Sequence, residues 1–148
     1  MRLPDSPLAT AAAAALLIQL AKFLSDAIRY RRINFQRLVQ TGGMPSSHGG
    51  SVTALSVATG ISVGFRSIEF QVAAFFSIIV VYDAAGLRRA AGRQAQVLNR
   101  MVDRMQREHR LFVRGEDPLG ELLGHTPFEV LVGIVFGAIF AWCWYAFV

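Results

Sequence analysis

Lysine is nearly missing from this 148-residue sequence, in which fourteen arginines accompany the single Lys22. Cations are therefore supplied almost wholly as guanidiniums, which bind carboxylates and phosphates in a forked, two-bond fashion. Cysteine is nearly missing too. The lone Cys143 sits in an apolar run and excludes an intrachain disulfide, leaving the redox compartment open. No Cys/His cluster has the spacing of a metal site, and no internal repeat or low-complexity tract occurs beyond an alanine run near the start. Charged residues make up only 17% of the chain, whereas 53% is hydrophobic. With a mean hydropathy of +0.41, a one-domain chain is too apolar to be an ordinary soluble domain, so an integral membrane protein is expected. A formal charge of +5 points to anionic lipid headgroups or phosphate esters as partners. The apolar spans argue against nucleic acid, the other usual reason for a high isoelectric point.

What is present reads as one all-α membrane domain over residues 1–148, with about four transmembrane helices and an interfacial amphipathic helix. Residues 8–21 form an apolar run that continues in helical pattern through Lys22, Asp26 and Arg29. No small-x-small cleavage site with a polar mature start follows it, so a retained helix is expected rather than a signal peptide. Gly49 to Phe65 is rich in Gly, Ala, Ser and Thr, as suits the middle of a membrane bundle. Arg66 to Glu69 reads as a short connection before a third span, Phe70 to Tyr82. Residues 93–112 place Val97, Leu98, Met101, Val102 and Met105 on one side and arginines elsewhere, the pattern of a helix lying on the membrane surface. Arg114 to Pro118 breaks that helix. The last span opens near His125 and runs to Val148 with Glu129 as its only charge. Four spans put both termini on one side and the two long basic connections on the other, which the positive-inside rule makes cytoplasmic.

The polar turn Gly42-Gly43-Met44-Pro45-Ser46-Ser47-His48-Gly49-Gly50 stands out from this apolar background. Glycines let backbone amides approach an anion, Pro45 fixes a dihedral, and two hydroxyls and an imidazole follow side by side. This is the inventory of a phosphate cradle, although a plain interhelical turn with a serine N-cap has the same residues. The topology carries three further features to the same membrane face. Lys22 and Arg29 are two helical turns apart on one side of their helix. Asp83 stands at the end of the third span, before Arg88 and Arg89. His125 and Glu129 are four residues apart, close enough for the carboxylate to orient the imidazole. Thr126, Pro127 and Glu129 equally fit the N-cap, N1 and N3 positions of a capping box. Two histidines, several guanidiniums and two carboxylates without a metal cluster suggest metal-free phosphoryl transfer.

Pro45-Ser46-Ser47-His48 resembles the Pro-Ser-Gly-His signature of the type 2 phosphatidic acid phosphatase and vanadium haloperoxidase superfamily. The Lys22 to Arg29 spacing is similar to that superfamily's first motif. Gly42 to His48, Asp83 to Arg93 and Gly124 to Glu129 together resemble its divergent branch of small membrane proteins. The resemblance implies that His48 is the general acid, His125 the nucleophile that forms a phosphohistidine, and Glu129 the residue that orients it. It implies that Lys22 and Arg29 hold phosphate, with Ser46, Ser47 and nearby amides completing the cradle. The sequence departs from the superfamily pattern in three places. Tyr30 stands where proline is usual, Ser47 replaces the motif glycine, and Pro118-Leu119 occupies the place of the usual Ser-Arg pair. Arg88 or Arg89 is therefore expected to supply the missing guanidinium, with Asp83 positioning it. The chain is also shorter than the usual six-helix core, a difference that a homodimer would offset.

The expected activity is a lipid phosphate phosphatase of a bacterial inner membrane, or an equivalent organelle membrane, with its site on the cytoplasmic face. It would act without metal or other cofactor on a phosphomonoester such as phosphatidylglycerophosphate, phosphatidate or a polyprenyl phosphate. The alternatives are a non-enzymatic anionic-lipid binder or small transporter and, third, a vanadate-dependent haloperoxidase.

Overall fold

The computed structural model describes residues 6–30, 43–109 and 126–147, with the side chains at 29–30, 87–89, 91, 106 and 108–109 also outside the description. Among the described residues there are five helices and no strand: α1 (Pro7–Tyr30), α2 (Ser47–Val63), α3 (Ile68–Ala85), α4 (Leu87–His109) and α5 (Pro127–Phe147). Helices α1, α3 and α5 are long and apolar enough to cross a membrane. A helix satisfies its own backbone hydrogen bonds, so it can enter hydrocarbon without leaving polar groups unpaired. The protein is accordingly an all-α integral membrane bundle.

Helix α2 sits between these three and packs against each of them. It is 17 residues long, and its buried positions are all small: Gly49, Gly50, Ala54, Ser56, Ala58 and Gly60. Ala14, Ala54, Ala58 and Ala141 form the buried cluster where α1, α2 and α5 meet. Large apolar side chains such as Phe75, Phe76, Ile78 and Trp142 instead point outward. That inversion follows from the solvent. Lipid gives no hydrophobic reward for burying a phenylalanine, so the helices gain by bringing their backbones close through small residues.

The α2/α5 seam is the tightest. A Cβ at Gly133 would lie 2.5 Å from the Ser46 carbonyl oxygen, and one at Gly137 would overlap the Gly50 carbonyl. Gly133 and Gly137 form a Gly-x-x-x-Gly pair on one face of α5. Helices α2 and α5 run parallel. Ser46 N–H donates to the Glu129 carbonyl at 3.0 Å near their N-termini, and Ser62 Oγ donates to Tyr145 Oη at 2.7 Å near their C-termini. Between α2 and α3, Ser56 and Ser77 hydroxyls lie 2.7 Å apart, with the Val52 carbonyl 2.8 Å from Ser77 Oγ. Chain direction thus brings the end of α1, the start of α2, the end of α3 and the start of α5 to one end of the bundle.

Two boundaries differ from the sequence reading. The connection at Arg66 to Glu69 is shorter than expected, because Ser67 caps α3 by accepting from Phe70 N–H at 3.1 Å, and Glu69 lies in its first turn. The amphipathic helix starts at Leu87 rather than residue 93. Gly86 makes the break: its N–H closes α3 on the Tyr82 carbonyl at 2.9 Å, while its own carbonyl accepts from Ala90 and opens α4. Asp83 and the pair Arg88/Arg89, expected on one terminal segment, therefore stand on two different helices.

Candidate active site

The site is built from two helix N-termini joined backbone to backbone. Gly43, at φ +77°, turns the chain in a conformation that side-chain-bearing residues disfavour. Ser46 follows in extended conformation as the N-cap of α2, its Oγ accepting from Gly49 N–H at 3.3 Å. Its carbonyl accepts from Gly50 N–H at 2.9 Å, and its own N–H is spent on the Glu129 carbonyl. Ser46 is fully buried. Its hydroxyl and carbonyl thus cap α2, while its N–H ties that helix start to the start of α5.

On the α5 side, Thr126 and Glu129 form a reciprocal capping box. Thr126 Oγ1 accepts from Glu129 N–H at 3.2 Å, and Glu129 Oε2 accepts from Thr126 N–H at 2.7 Å. Pro127 occupies the first helical position, where its missing N–H loses nothing. One carboxylate oxygen of Glu129 is therefore engaged by its own helix start, the capping role that the Thr-Pro-x-Glu pattern allowed. Both helices aim their positive dipole ends at this end of the bundle, an arrangement that favours an anion.

The cation comes from α1. Lys22 is only 4% exposed, and its Nζ donates to Ser47 Oγ at 3.2 Å. Ser47 Oγ in turn donates to Gln19 Oε1 at 3.2 Å. Gln19 lies one turn before Lys22 on the same face, so a polar pair on α1 grips the first residue of α2. Gln19 was missed in the sequence. Its signal was a lone amide inside the apolar run of residues 8–21, spaced i, i+3 from the single lysine.

The structure thus brings Lys22, Ser46, Ser47 and Glu129 together, with His48 on the first turn of α2 beside them. Asp83, in the last turn of α3, lies at the same end. Arg29 is in the last turn of α1, and Arg88 and Arg89 are in the first turn of α4, with their side chains outside the described residues. His125, the residue before Thr126, also lies outside the described residues. Among the described residues no group of His, Cys, Asp and Glu could hold a metal ion.

No solved structure matches this chain. A relative that is 38% identical over 145 residues, covering 93% of this chain and 92% of its own length, is the uncharacterized membrane protein YuiD of Bacillus subtilis (strain 168). The model of the Divergent PAP2 family matches residues 3–140, a stretch that takes in Lys22, the Gly42–His48 turn, the Asp83–Arg93 stretch and the start of α5. With nearly the whole sequence matched, this chain belongs to the Divergent PAP2 family.

Proposed function

We propose that the protein is a membrane lipid phosphate phosphatase that hydrolyses a phosphomonoester through a phosphohistidine, without metal. The observation that carries this reading is Lys22: a cation buried in an apolar bundle and tethered to the helix start where α2 meets α5. An ammonium inside a membrane protein is costly, and it is retained where it meets a ligand or an ion path. At this position it touches the start of α2, which is bonded in turn to the start of α5, so that the two helix N-termini would share the load of a phosphate dianion.

In the proposed reaction a nitrogen of His125 attacks phosphorus, the P–O ester bond breaks, and the departing alkoxide takes a proton from His48. Water then attacks the phosphohistidine as neutral His48 accepts its proton. The P–N bond breaks and orthophosphate leaves. Lys22, Ser47 and the α2 amides stabilise the equatorial oxygens in both steps. Arg29 and either Arg88 or Arg89 add guanidiniums to the same dianion, and Asp83 positions one of them. The arginines of the two basic stretches that precede α2 and α5 in the sequence support a cytoplasmic site by the positive-inside rule. Phosphatidylglycerophosphate, phosphatidate and polyprenyl phosphates are all suitable substrates.

The leaving group tests the acid. His48→Gln should slow release of an alkyl alcohol by about 10² to 10⁴-fold, the usual contribution of a positioned acid. A 4-nitrophenyl ester, whose leaving group departs without a proton, should be slowed far less. Equal slowing of both esters in the purified variant would remove His48 from the role of acid.

A further inference from the structure

A groove of about 740 Å³ runs between α2 and α3 on the outside of the bundle. Its α2 wall is Val52, Leu55 and Thr59, and its α3 wall includes Ala73, Phe76 and Val80, with Ile68 and Glu69 at the far end. The helical spacing decides where the near end leads. Residues 48, 52, 55 and 59 follow i, i+4, i+7, i+11, so His48 stands on the same face of α2 as the groove wall. Residues 69, 73, 76, 80 and 83 follow the same rule, so Asp83 continues the α3 wall. The serine pair fixes the alignment of the two walls, holding Ser77 of α3 against Val52 and Ser56 of α2. Both walls of one apolar groove are therefore headed by candidate site residues.

We infer that this groove is the hydrocarbon-chain subsite of a lipid whose phosphate sits at the start of α2. The inference rests on the phosphatase reading only for the identity of the headgroup chemistry. The lining is almost entirely apolar, and Phe76 is 61% exposed at its edge. Along α3 from Ile68 to Val80 the groove rises about 18 Å at 1.5 Å per residue. That exceeds the roughly 15 Å of hydrocarbon in one leaflet, half of the core thickness. A chain anchored by its phosphate at His48 would thus lie in the groove along its whole leaflet depth. Its occupant is a chain of the substrate itself, acyl or prenyl, rather than a neighbouring helix, because the two groove walls, followed about one helical turn beyond Val52 and Val80, reach His48 and Asp83.

The test uses two photoreactive lipids with the same diazirine-bearing acyl chain, one a phosphatidate and one a phosphatidylcholine, in vesicles containing the full-length protein. Phosphatidate label should fall on α2 and α3 peptides around Leu55, Val72 and Phe76, enriched at least several-fold over the phosphatidylcholine probe. Ala73→Phe, which fills the groove, should abolish that enrichment. Phe76→Ala, a truncation at an exposed position, should shift the label without loss of fold. A matching pair of polyprenyl phosphate and polyprenol probes distinguishes prenyl from acyl chains by the same enrichment. In turnover, Ala73→Phe should raise KM for dioleoyl phosphatidate at least tenfold and leave hydrolysis of a dibutyryl analogue unchanged. Equal labelling of the groove by both headgroups, or label spread over the exposed face of α5 at Leu131, Val135 and Ile139, would overturn the inference. Selective groove labelling without hydrolysis would keep the subsite and discard the phosphatase reading.

Discussion

Gly137→Ala is expected to lower the thermal midpoint of the detergent-solubilised protein by roughly 5 to 10 °C, the equivalent of about 2–3 kcal/mol in a chain of this size. The reason lies in what the added methyl would meet. It would overlap the Gly50 carbonyl, with the Gly50 carbonyl carbon and Cα at 2.9 and 3.0 Å. All three atoms belong to backbone, so no rotamer change relieves the contact, and α2 and α5 must separate along their seam. Separation at this level also lengthens the Ser46 to Glu129 backbone bond, which joins the two helix starts. Stability and site geometry should therefore fall together. Val135→Ala, on the lipid-facing side of the same helix, should change stability by about 0.5 kcal/mol or less. Equal midpoints for wild type and Gly137→Ala would mean that α2 and α5 do not meet at backbone distance.

Lys22→Met is expected to reduce kcat/KM on a lipid phosphate by about 10² to 10³-fold, the range found for removing one donor from a preorganised oxyanion site. Stability should change little, the lost bond to Ser47 Oγ being offset by relief of the ammonium's desolvation. Methionine keeps the length of the aliphatic stem while removing an ammonium whose burial carries a desolvation penalty. Lys22→Arg should recover only part of the activity, because a planar guanidinium is longer and wider than the space around a buried ammonium. A Lys22→Met protein that loses stability but keeps turnover would make Lys22 a structural tether of α1 to α2 instead. Comparing the KM of the variants against their kcat separates ground-state phosphate binding from stabilisation of the transition state.

The fold was legible where composition and length speak loudly. Alanine and leucine runs in α1 and the unbroken apolar run of α5 each identify a membrane helix without any tertiary information, while the small residues of α2 mark a helix built for close packing. The turn before α2 was legible because glycine, proline, serine and histidine together have few uses inside hydrocarbon. Boundaries were less so. Ser67 and Gly86 act through single capping bonds, to Phe70 N–H and to the Tyr82 carbonyl, and neither bond leaves a periodic trace in the sequence. The Gly133/Gly137 seam did leave a trace, an i, i+4 glycine pair, yet an apolar run that already reads as a span conceals which of its faces meets a partner. The double role open to Glu129 was visible from the start: Thr126 and Pro127 announce a capping box, and the structure forms one. Ser77 is a single hydroxyl in an apolar run. It is nevertheless a buried hydroxyl that sets the register of α3 on α2.

If the joined starts of α2 and α5 form a catalytic phosphate site, the protein should release phosphate from one or more of a panel of lipid phosphates. The purified protein would be assayed in excess chelator beside His125→Gln, with an acid-labile phosphoenzyme trap. Release should persist in chelator and a phosphoenzyme should be trapped in the wild type, with neither seen in His125→Gln. Folded protein that binds the same lipids but releases no phosphate would contradict that reading, leaving Lys22 and the two helix starts as an anion-binding site without chemistry.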